Sequence, residues 1–206
     1  MITAQTRDFS LTSLTKENIL SFVQVLGASL LIAVCAQIQI PLYFTPVPLS
    51  AQTFGVMLVG AILGSRKGAF SILLYLFEGS FLNLPFFTGG TSGLLCLLGP
   101  KGGYFMGFIV QAYLAGKCME TYGQSKSIVK IALGFFASCL IQLSMGTLWL
   151  SHFVGMGNAL MMGFYPFIPG DLVKVLAVIS YLKSHYANWQ DKKAIVAPSS
   201  DFDSFQ

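Results

Sequence analysis

An aspartate and a lysine one helical turn apart are the residues of this sequence best suited to binding chemistry. Asp171 and Lys174 follow a Pro169-Gly170 break and precede an apolar run over residues 175–179 that is typical of a helix. Side chains three positions apart lie on one face of a helix. The pair therefore predicts either a polar pocket that offers one acceptor and one cation, or a neutralised ion pair that fixes helix packing.

A second cation, Lys101, ends a glycine-rich segment over residues 85–101. Because a connection of this length is uncommon without a function, we expect a lid or a pocket wall, with a flexible connector as the alternative. Lys101 either adds a positive charge to that pocket or lies along apolar surface with its amine in water. Aromatic residues are frequent nearby, and a few of them, Tyr104 included, could stack on a flat ligand.

Motifs for catalysis and metal binding are absent from the sequence. There is no G-x-x-x-x-G-K-[ST] phosphate loop, no Gly-x-Ser-x-Gly nucleophile turn and no His/Cys group with metal-ligand spacing. The cysteines stand singly in or beside apolar stretches, as packing residues do: Cys35, Cys96, Cys118 and Cys139. We therefore expect no enzyme activity, no resident cofactor and no ATP hydrolysis by the chain itself.

The composition is that of a chain whose surface faces lipid. Of the 206 residues, 54% are hydrophobic and 10% are charged, at a mean hydropathy of +0.70. A soluble domain has roughly 25% charged residues. The length accommodates about six membrane crossings at about 20 residues each, plus loops. We assign the net charge of +4 to basic cytoplasmic loops and not to nucleic-acid binding.

Apolar runs predict an all-α polytopic membrane protein with six transmembrane helices. The runs cover residues 19–40, 51–64, 69–84, 102–116, 131–150 and 157–181. The second is short for a full crossing. Prolines interrupt the sixth, where freed backbone groups must pack against protein or line a polar cavity. Residues 1–18 and 183–206 are polar cytoplasmic tails on either side of a transmembrane substrate-binding domain at residues 19–182.

Basic residues predict that both termini lie in the cytoplasm, because Lys and Arg are enriched on that side of membrane spans. With the amino terminus inside, six crossings leave only Lys101 on the outer side and only Lys174 within a span. The remaining basic residues then fall inside: Arg7, Lys16, Arg66, Lys67, Lys117, Lys126, Lys130, Lys183, Lys192 and Lys193.

Small residues at four-residue spacing form two smooth helix faces, one with Gly99, Gly103 and Gly107 and one with Ser29 and Ala33. Such faces let helices approach closely. The spacing alone leaves open whether each face packs inside the bundle or against another protein.

Several segments together resemble the BioY family, the biotin-binding S components of energy-coupling-factor (ECF) transporters. The resemblance covers residues 19–182 and rests on an ordered set of motifs: QTFGV at 52–56, LGSRKG at 63–68, YL at 75–76, LPFFTGG at 84–90, LGPKGGY at 98–104 and PFIPGDLVK at 166–174. It implies a six-helix bundle in the inner (cytoplasmic) membrane that binds biotin near its outer face. It also implies a partner module of one membrane-embedded coupling subunit and two ATPase subunits, although some members are reported to work without dedicated partners.

The chemistry of biotin fits the charged residues that carry this resemblance. Biotin has a carboxylate on a short chain and a ureido ring with N–H donors and a carbonyl. Lys174 and Lys101 could hold the carboxylate through charge-assisted bonds, and Asp171 could accept from a ureido N–H. Asp171 and Lys174 match the family motif directly, and Lys101 stands where the family can have a basic residue.

The resemblance also assigns roles to uncharged residues. Thr88 stands in the loop where the family often has a polar side chain, sometimes Asn. The proline-rich loop around Pro48 resembles the family's gate over the ligand, and Gln52 borders it. Ser29 and Ala33 loosely resemble the small-residue stripe with which these proteins meet the coupling subunit.

Other functions remain open at this point. The chain could be an S component for a different vitamin, such as riboflavin or thiamine. A small membrane enzyme acting on lipids would need a nucleophile, a metal cluster or a paired acid and base, and the sequence offers no convincing set. A structural membrane scaffold would bind no small molecule through Asp171 or Lys174.

Overall fold

The protein is largely helical. The computed structural model describes residues 11–123 and 127–196, with side chains over 18–123 and 127–185. The elements follow in the order α1 (Leu11–Gln37), β1 (Gln39–Ile40), β2 (Leu49–Ser50), α2 (Gln52–Leu63), α3 (Ser65–Ser80), α4 (Leu94–Leu98), α5 (Gly102–Tyr122), α6 (Ile128–Val154), α7 (Met156–Gly163) and α8 (Phe167–Val196). The ends of the two polar tails lie outside the described residues.

Six of these helices, α1, α2, α3, α5, α6 and α8, overlap the six apolar runs, and the sixth run also contains α7. By length and composition, three segments of the described chain can cross a membrane: Asn18–Gln37, Ile128–Val154 and Met156–His185. α2 has 12 residues, so it extends only about 18 Å, against about 30 Å for the hydrocarbon core. Most of its residues are buried inside the protein, and this explains how so short an apolar helix is accommodated.

The break in the sixth apolar run lies at Pro166 and the two residues before it, and not at Pro169-Gly170. α7 ends at Gly163, a turn over residues 164–166 follows, and α8 begins at Phe167. Pro169 and Gly170 are therefore helical and do not form a second interruption. Proline is tolerated in the first helical turn because the N–H groups there have no intrahelical acceptor.

Two small elements in the loops were not expected from the sequence. The antiparallel strands β1 and β2 pair Gln39 with Ser50 and Ile40 with Leu49, so the proline-rich loop is a hairpin. The segment over 85–101 contains α4 and is anchored by Phe87, which is fully buried. The Phe87 ring lies 4.8 Å from the Phe105 ring and 5.6 Å from the Tyr75 ring, measured between centroids. That segment is therefore a packed wall and not a loose connector.

Both small-residue faces pack inside the bundle. A Cβ at Gly103 would overlap Trp149 of α6, and one at Gly107 would lie 3.0 Å from Gln142. Gly99 accepts a 2.9 Å hydrogen bond from Trp149 Nε1. On α1, Ser29 and Ala33 are buried, at 0% and 6% exposure. The interpretation of Ser29 and Ala33 as part of a surface for the coupling subunit is therefore wrong, because other residues of the bundle already cover both side chains.

α5 packs against α2, α3 and α6, and its carboxyl-terminal half holds the start of α3. Glu120 Oε1 accepts hydrogen bonds from the backbone N–H of Ser65, at 2.8 Å, and from its hydroxyl, at 2.7 Å. Gly116, one turn earlier, contacts the backbone of Gly64 and Ser65 so closely that a Cβ there would overlap it. The approach of α5 to the α2–α3 turn thus requires glycine.

This contact predicts that Gly116→Ala destabilises the protein by about 1–3 kcal/mol, the usual cost of overpacking. The matched control is Gly27→Ala, in the middle of α1, where a Cβ would meet nothing within 4 Å. The control should be neutral or slightly stabilising, since alanine favours helix. Thermal unfolding of both variants in detergent measures the difference, and equal stability of the two would contradict the packing account.

Candidate functional site

A cavity lies where α2, α5, α6 and α8 meet the loops before α2 and α4. The cavity brings together every residue that the sequence singled out for binding: Pro48, Gln52, Thr88, Lys101, Tyr104, Asp171 and Lys174. In the sequence these residues belong to four separate motifs and the proline-rich loop, and the fold assembles them around one space.

The charged centre of the cavity joins α8 to α2. Lys174 Nζ lies 3.0 Å from Asp171 Oδ1 and donates to Thr53 Oγ1 at 2.6 Å, while the Thr53 hydroxyl donates to Asp171 Oδ1 at 3.1 Å. The side chains of Asp171 and Lys174 are 1% and 15% exposed. The structure agrees with both interpretations of the pair, because the two residues form a buried ion pair and also line the cavity.

One oxygen of this centre has no donor. Asp171 Oδ2 is buried and accepts no hydrogen bond from the described residues. A buried carboxylate oxygen without a donor is costly, and most buried polar atoms in proteins have a partner. The centre can therefore accept one further N–H from a molecule in the cavity.

The second lysine lies on another wall. Lys101 precedes α5 and donates to Thr88 Oγ1 at 3.3 Å. Burial lowers the pKa of Lys101. No carboxylate among the described side chains forms an ion pair with it. Lys101 is thus a half-buried cation whose charge the described part of the protein leaves uncompensated.

The remaining predicted residues mainly build the walls. Gln52 accepts from Ser50 Oγ at 3.1 Å and donates to the Tyr75 hydroxyl at 2.7 Å, and that hydroxyl donates to the Phe86 carbonyl at 3.1 Å. The Tyr104 hydroxyl donates to the carbonyl of Gly163 at 2.8 Å. Tyr104 therefore presents its ring to the cavity, while Gln52 links the β2 end to the loop that carries Thr88.

A glutamine outside the cavity fixes the same loop. Gln37, at the end of α1, donates to the Phe87 carbonyl at 3.2 Å and accepts from the Gly90 N–H at 3.1 Å. These bonds hold the loop on both sides of Thr88, and Val47 and Pro48 of the β1–β2 connection line the opposite part of the cavity.

Comparison with known proteins identifies the family. The BioY family model matches residues 6–191. This chain belongs to the BioY family. The "Biotin transporter BioY2" of Lactococcus lactis is 39% identical over 155 residues, covering 74% of this chain and 82% of that protein. The "Probable biotin transporter BioY" of Pyrococcus horikoshii is 37% identical over 141 residues, covering 68% of this chain and 82% of that protein.

The fold agrees with this membership. A crystal structure described as the S-component for biotin from an ECF-type ABC transporter superimposes with a TM-score of 0.75 at 24% identity, covering 84% of this chain and 93% of that one. The resemblance read from the sequence is confirmed, as is the prediction of a transport protein rather than an enzyme. BioY membership and the apolar helices support a multi-pass membrane protein.

Two polar residues that line this BioY cavity from helices were missed in the sequence. Thr53 is adjacent to Gln52 in the 52–56 motif and completes the Asp171–Lys174 centre. Gln142 lines the cavity from the middle of α6. The available signal was their polarity within apolar helices, which is weaker than that of a charge. The apolar walls from Phe108 and Phe167 were also not predicted, because aromatic residues are frequent throughout the chain.

The buried pair predicts strongly non-additive stability effects. Lys174→Met leaves the Asp171 carboxylate buried without a cation and should cost about 3–5 kcal/mol. Adding Asp171→Asn removes the orphaned charge, so the double variant should lose less than the sum of the single variants.

Denaturation of the single and double variants in detergent measures this coupling. The control is Lys117→Met, which breaks the exposed 3.6 Å pair with Glu120 and should cost about 0–1 kcal/mol. Additive losses at Asp171 and Lys174 would show that the two charges do not stabilise each other.

Proposed function

We propose that this chain is the biotin-binding S component of an ECF-type transporter and takes up biotin with high affinity. One observation carries the proposal. The described charged residues that line the cavity are two lysines and one aspartate, so the lining has one positive charge in excess. Such a cavity is complementary to a monoanion that also has N–H donors, and biotin is such a molecule. The relatives that are named as biotin transporters also support biotin as the ligand.

The excess charge belongs at the Lys101 end of the cavity. Lys174 is already neutralised by Asp171 at 3.0 Å, whereas among the described side chains Lys101 donates a hydrogen bond to the Thr88 hydroxyl and forms no ion pair. We therefore assign the biotin carboxylate to Lys101, with Thr88 as a second donor. Of the two cations that the sequence offered for the carboxylate, the geometry favours Lys101.

The ureido ring belongs at the Asp171 end. Asp171 Oδ2 accepts no hydrogen bond from the described side chains and can accept one ureido N–H. An ammonium group has three N–H donors, and Lys174 uses two of them on Asp171 and Thr53. The third is free for the ureido carbonyl. Tyr104, Pro48 and Gln52 then form the walls along the ligand.

Other vitamins fit this charge distribution less well. Thiamine carries a permanent positive charge, which the excess cation repels, and riboflavin carries no carboxylate for Lys101. Both would leave the half-buried lysine without an anion, and an uncompensated buried charge is costly. The cavity therefore favours biotin over the two alternative ligands.

The topology and partners complete the proposal. The hydrogen bonds between Glu120 and Ser65 bring Arg66 and Lys67 to the same end of α5 as Lys117, whereas Lys101 lies at the other end. Because basic residues are enriched on the cytoplasmic side, this grouping supports six crossings with both termini in the cytoplasm. Biotin would then enter from the outer side of the cytoplasmic membrane. A membrane-embedded coupling subunit and two ATPases would supply the energy, since the sequence contains no phosphate-binding loop.

Titration calorimetry of the purified protein tests this function. The wild type should bind biotin and should bind neither riboflavin nor thiamine comparably. Lys101→Met should weaken biotin about ten- to a hundredfold, the loss of about 1.5–3 kcal/mol for a charged hydrogen bond. The same variant should barely change the affinity for biotin amide, which has no carboxylate.

The control is Lys67→Met, because Lys67 is exposed and its amine donates to Gln24 at 3.1 Å, away from the cavity. Equal losses for biotin and its amide in Lys101→Met would contradict the assignment of the carboxylate. Preferential binding of riboflavin or thiamine by the wild type would contradict the function itself.

The pH dependence of binding follows from Lys101. Only its charged form attracts a carboxylate, and burial lowers its pKa below the ordinary lysine value of about 10.4. Biotin affinity should therefore be constant near neutral pH and fall as the pH rises through that lowered pKa. Lys101→Arg stays charged at any such pH and should move the fall to higher pH. An identical alkaline fall in both proteins would mean that another cavity group titrates.

A further inference from the structure

Gln142 is a buried amide that lines the cavity and has no hydrogen-bond partner in the part of the chain that the structure describes. It lies in the middle of α6 and is 1% exposed. Its side-chain oxygen accepts no hydrogen bond, and its side-chain nitrogen has no acceptor, among the described residues. Phe105, Phe108 and Leu143, which line the same cavity, are apolar. An amide in such surroundings costs free energy unless something in the cavity pairs with it.

A glycine on the neighbouring helix makes room for the Gln142 side chain. Gly107 of α5 faces Gln142, and a Cβ at position 107 would lie 3.0 Å from both Cγ and the backbone oxygen of Gln142. The smooth face of α5 therefore lets α6 approach closely while a long polar side chain is placed beside the cavity. An apolar residue at position 142 would fill the same space without cost.

A second buried glutamine shows the contrast. Gln111 of α5 is 0% exposed, but its amide nitrogen donates to Cys139 Sγ at 3.3 Å, and it is not among the residues that line the cavity. Gln111 thus contributes to packing between α5 and α6. Gln142 lacks even that single bond and adjoins the ligand space.

We infer that Gln142 is a specificity-determining residue that pairs with one edge of the ureido ring. This inference rests on the proposed function. A primary amide and a cyclic urea can form two parallel hydrogen bonds: Gln142 Oε1 accepts one ureido N–H, and Gln142 Nε2 donates to the ureido carbonyl. Asp171 Oδ2 accepts the other N–H, and Lys174 donates to the second lone pair of the carbonyl. Each polar atom of the ring then has a partner.

Gln142→Leu separates this role from a structural one. Leucine removes an unpaired buried amide, so the ligand-free variant should unfold at the same or a higher temperature than the wild type. Its affinity for biotin should fall roughly ten- to a hundredfold, as expected for two neutral hydrogen bonds. Gln142→Met, which keeps the unbranched shape, serves if the leucine variant does not fold.

Ligand analogues identify the bond. Biotin methylated on one or the other ureido nitrogen lacks one donor each. Titration calorimetry measures how much each methyl group lowers the affinity of the wild type and of Gln142→Leu. One of the two methyl groups should lower the affinity of the wild type but hardly that of Gln142→Leu, whereas the other should lower the affinity of both proteins equally. Gln111→Leu, the matched control, should retain wild-type affinity and both effects of methylation.

The outcomes are distinguishable. Coupling of Gln142 to one methyl group, with ligand-free stability retained, supports the inference. Binding of biotin by the wild type without coupling to either methyl group overturns the inference and leaves the proposed function standing. Failure of the wild type to bind biotin overturns both.

Discussion

The architecture of the site depends on keeping charges inside an apolar bundle. Asp171 and Lys174 are almost fully removed from solvent, and the Thr53 hydroxyl bridges them from α2. Such a pair is tolerated because the two charges neutralise each other and Thr53 completes the hydrogen bonding. Lys101 has no such partner among the described side chains. The resulting excess of one positive charge gives the cavity a preference for an anion.

Glycine contacts and hydrogen-bonded loops hold these charges in place. Gly103 and Gly107 let α5 approach α6, and Gly116 lets α5 approach the turn before α3. The short α2, which supplies Thr53, is enclosed by these helices. At the other end, Phe87 is packed between two rings, and Gln37 binds the loop on both sides of Thr88. The cavity is thus formed between rigid walls, as expected for a largely pre-formed binding site.

The sequence predicted the helices and the charged residues of the site, because a long apolar run or a charge within one is a strong signal. It did not predict what depends on tertiary contact. Two-residue strands such as β1 have no detectable periodicity. Whether Ser29 faces a partner or the interior is decided by the neighbouring helix. Thr53 and Gln142 matter only because the fold turns them toward Asp171 and the cavity, and an isolated polar residue does not reveal that.

The orientation of the ligand is the most direct test of this account. A crystal or cryo-EM structure of the protein with biotin bound should place the carboxylate within hydrogen-bond distance of Lys101 Nζ. The ureido ring should then lie beside Asp171. Biotin bound in the reverse direction, or outside the cavity between α2, α5, α6 and α8, would contradict the claim that the uncompensated lysine determines how the ligand is held.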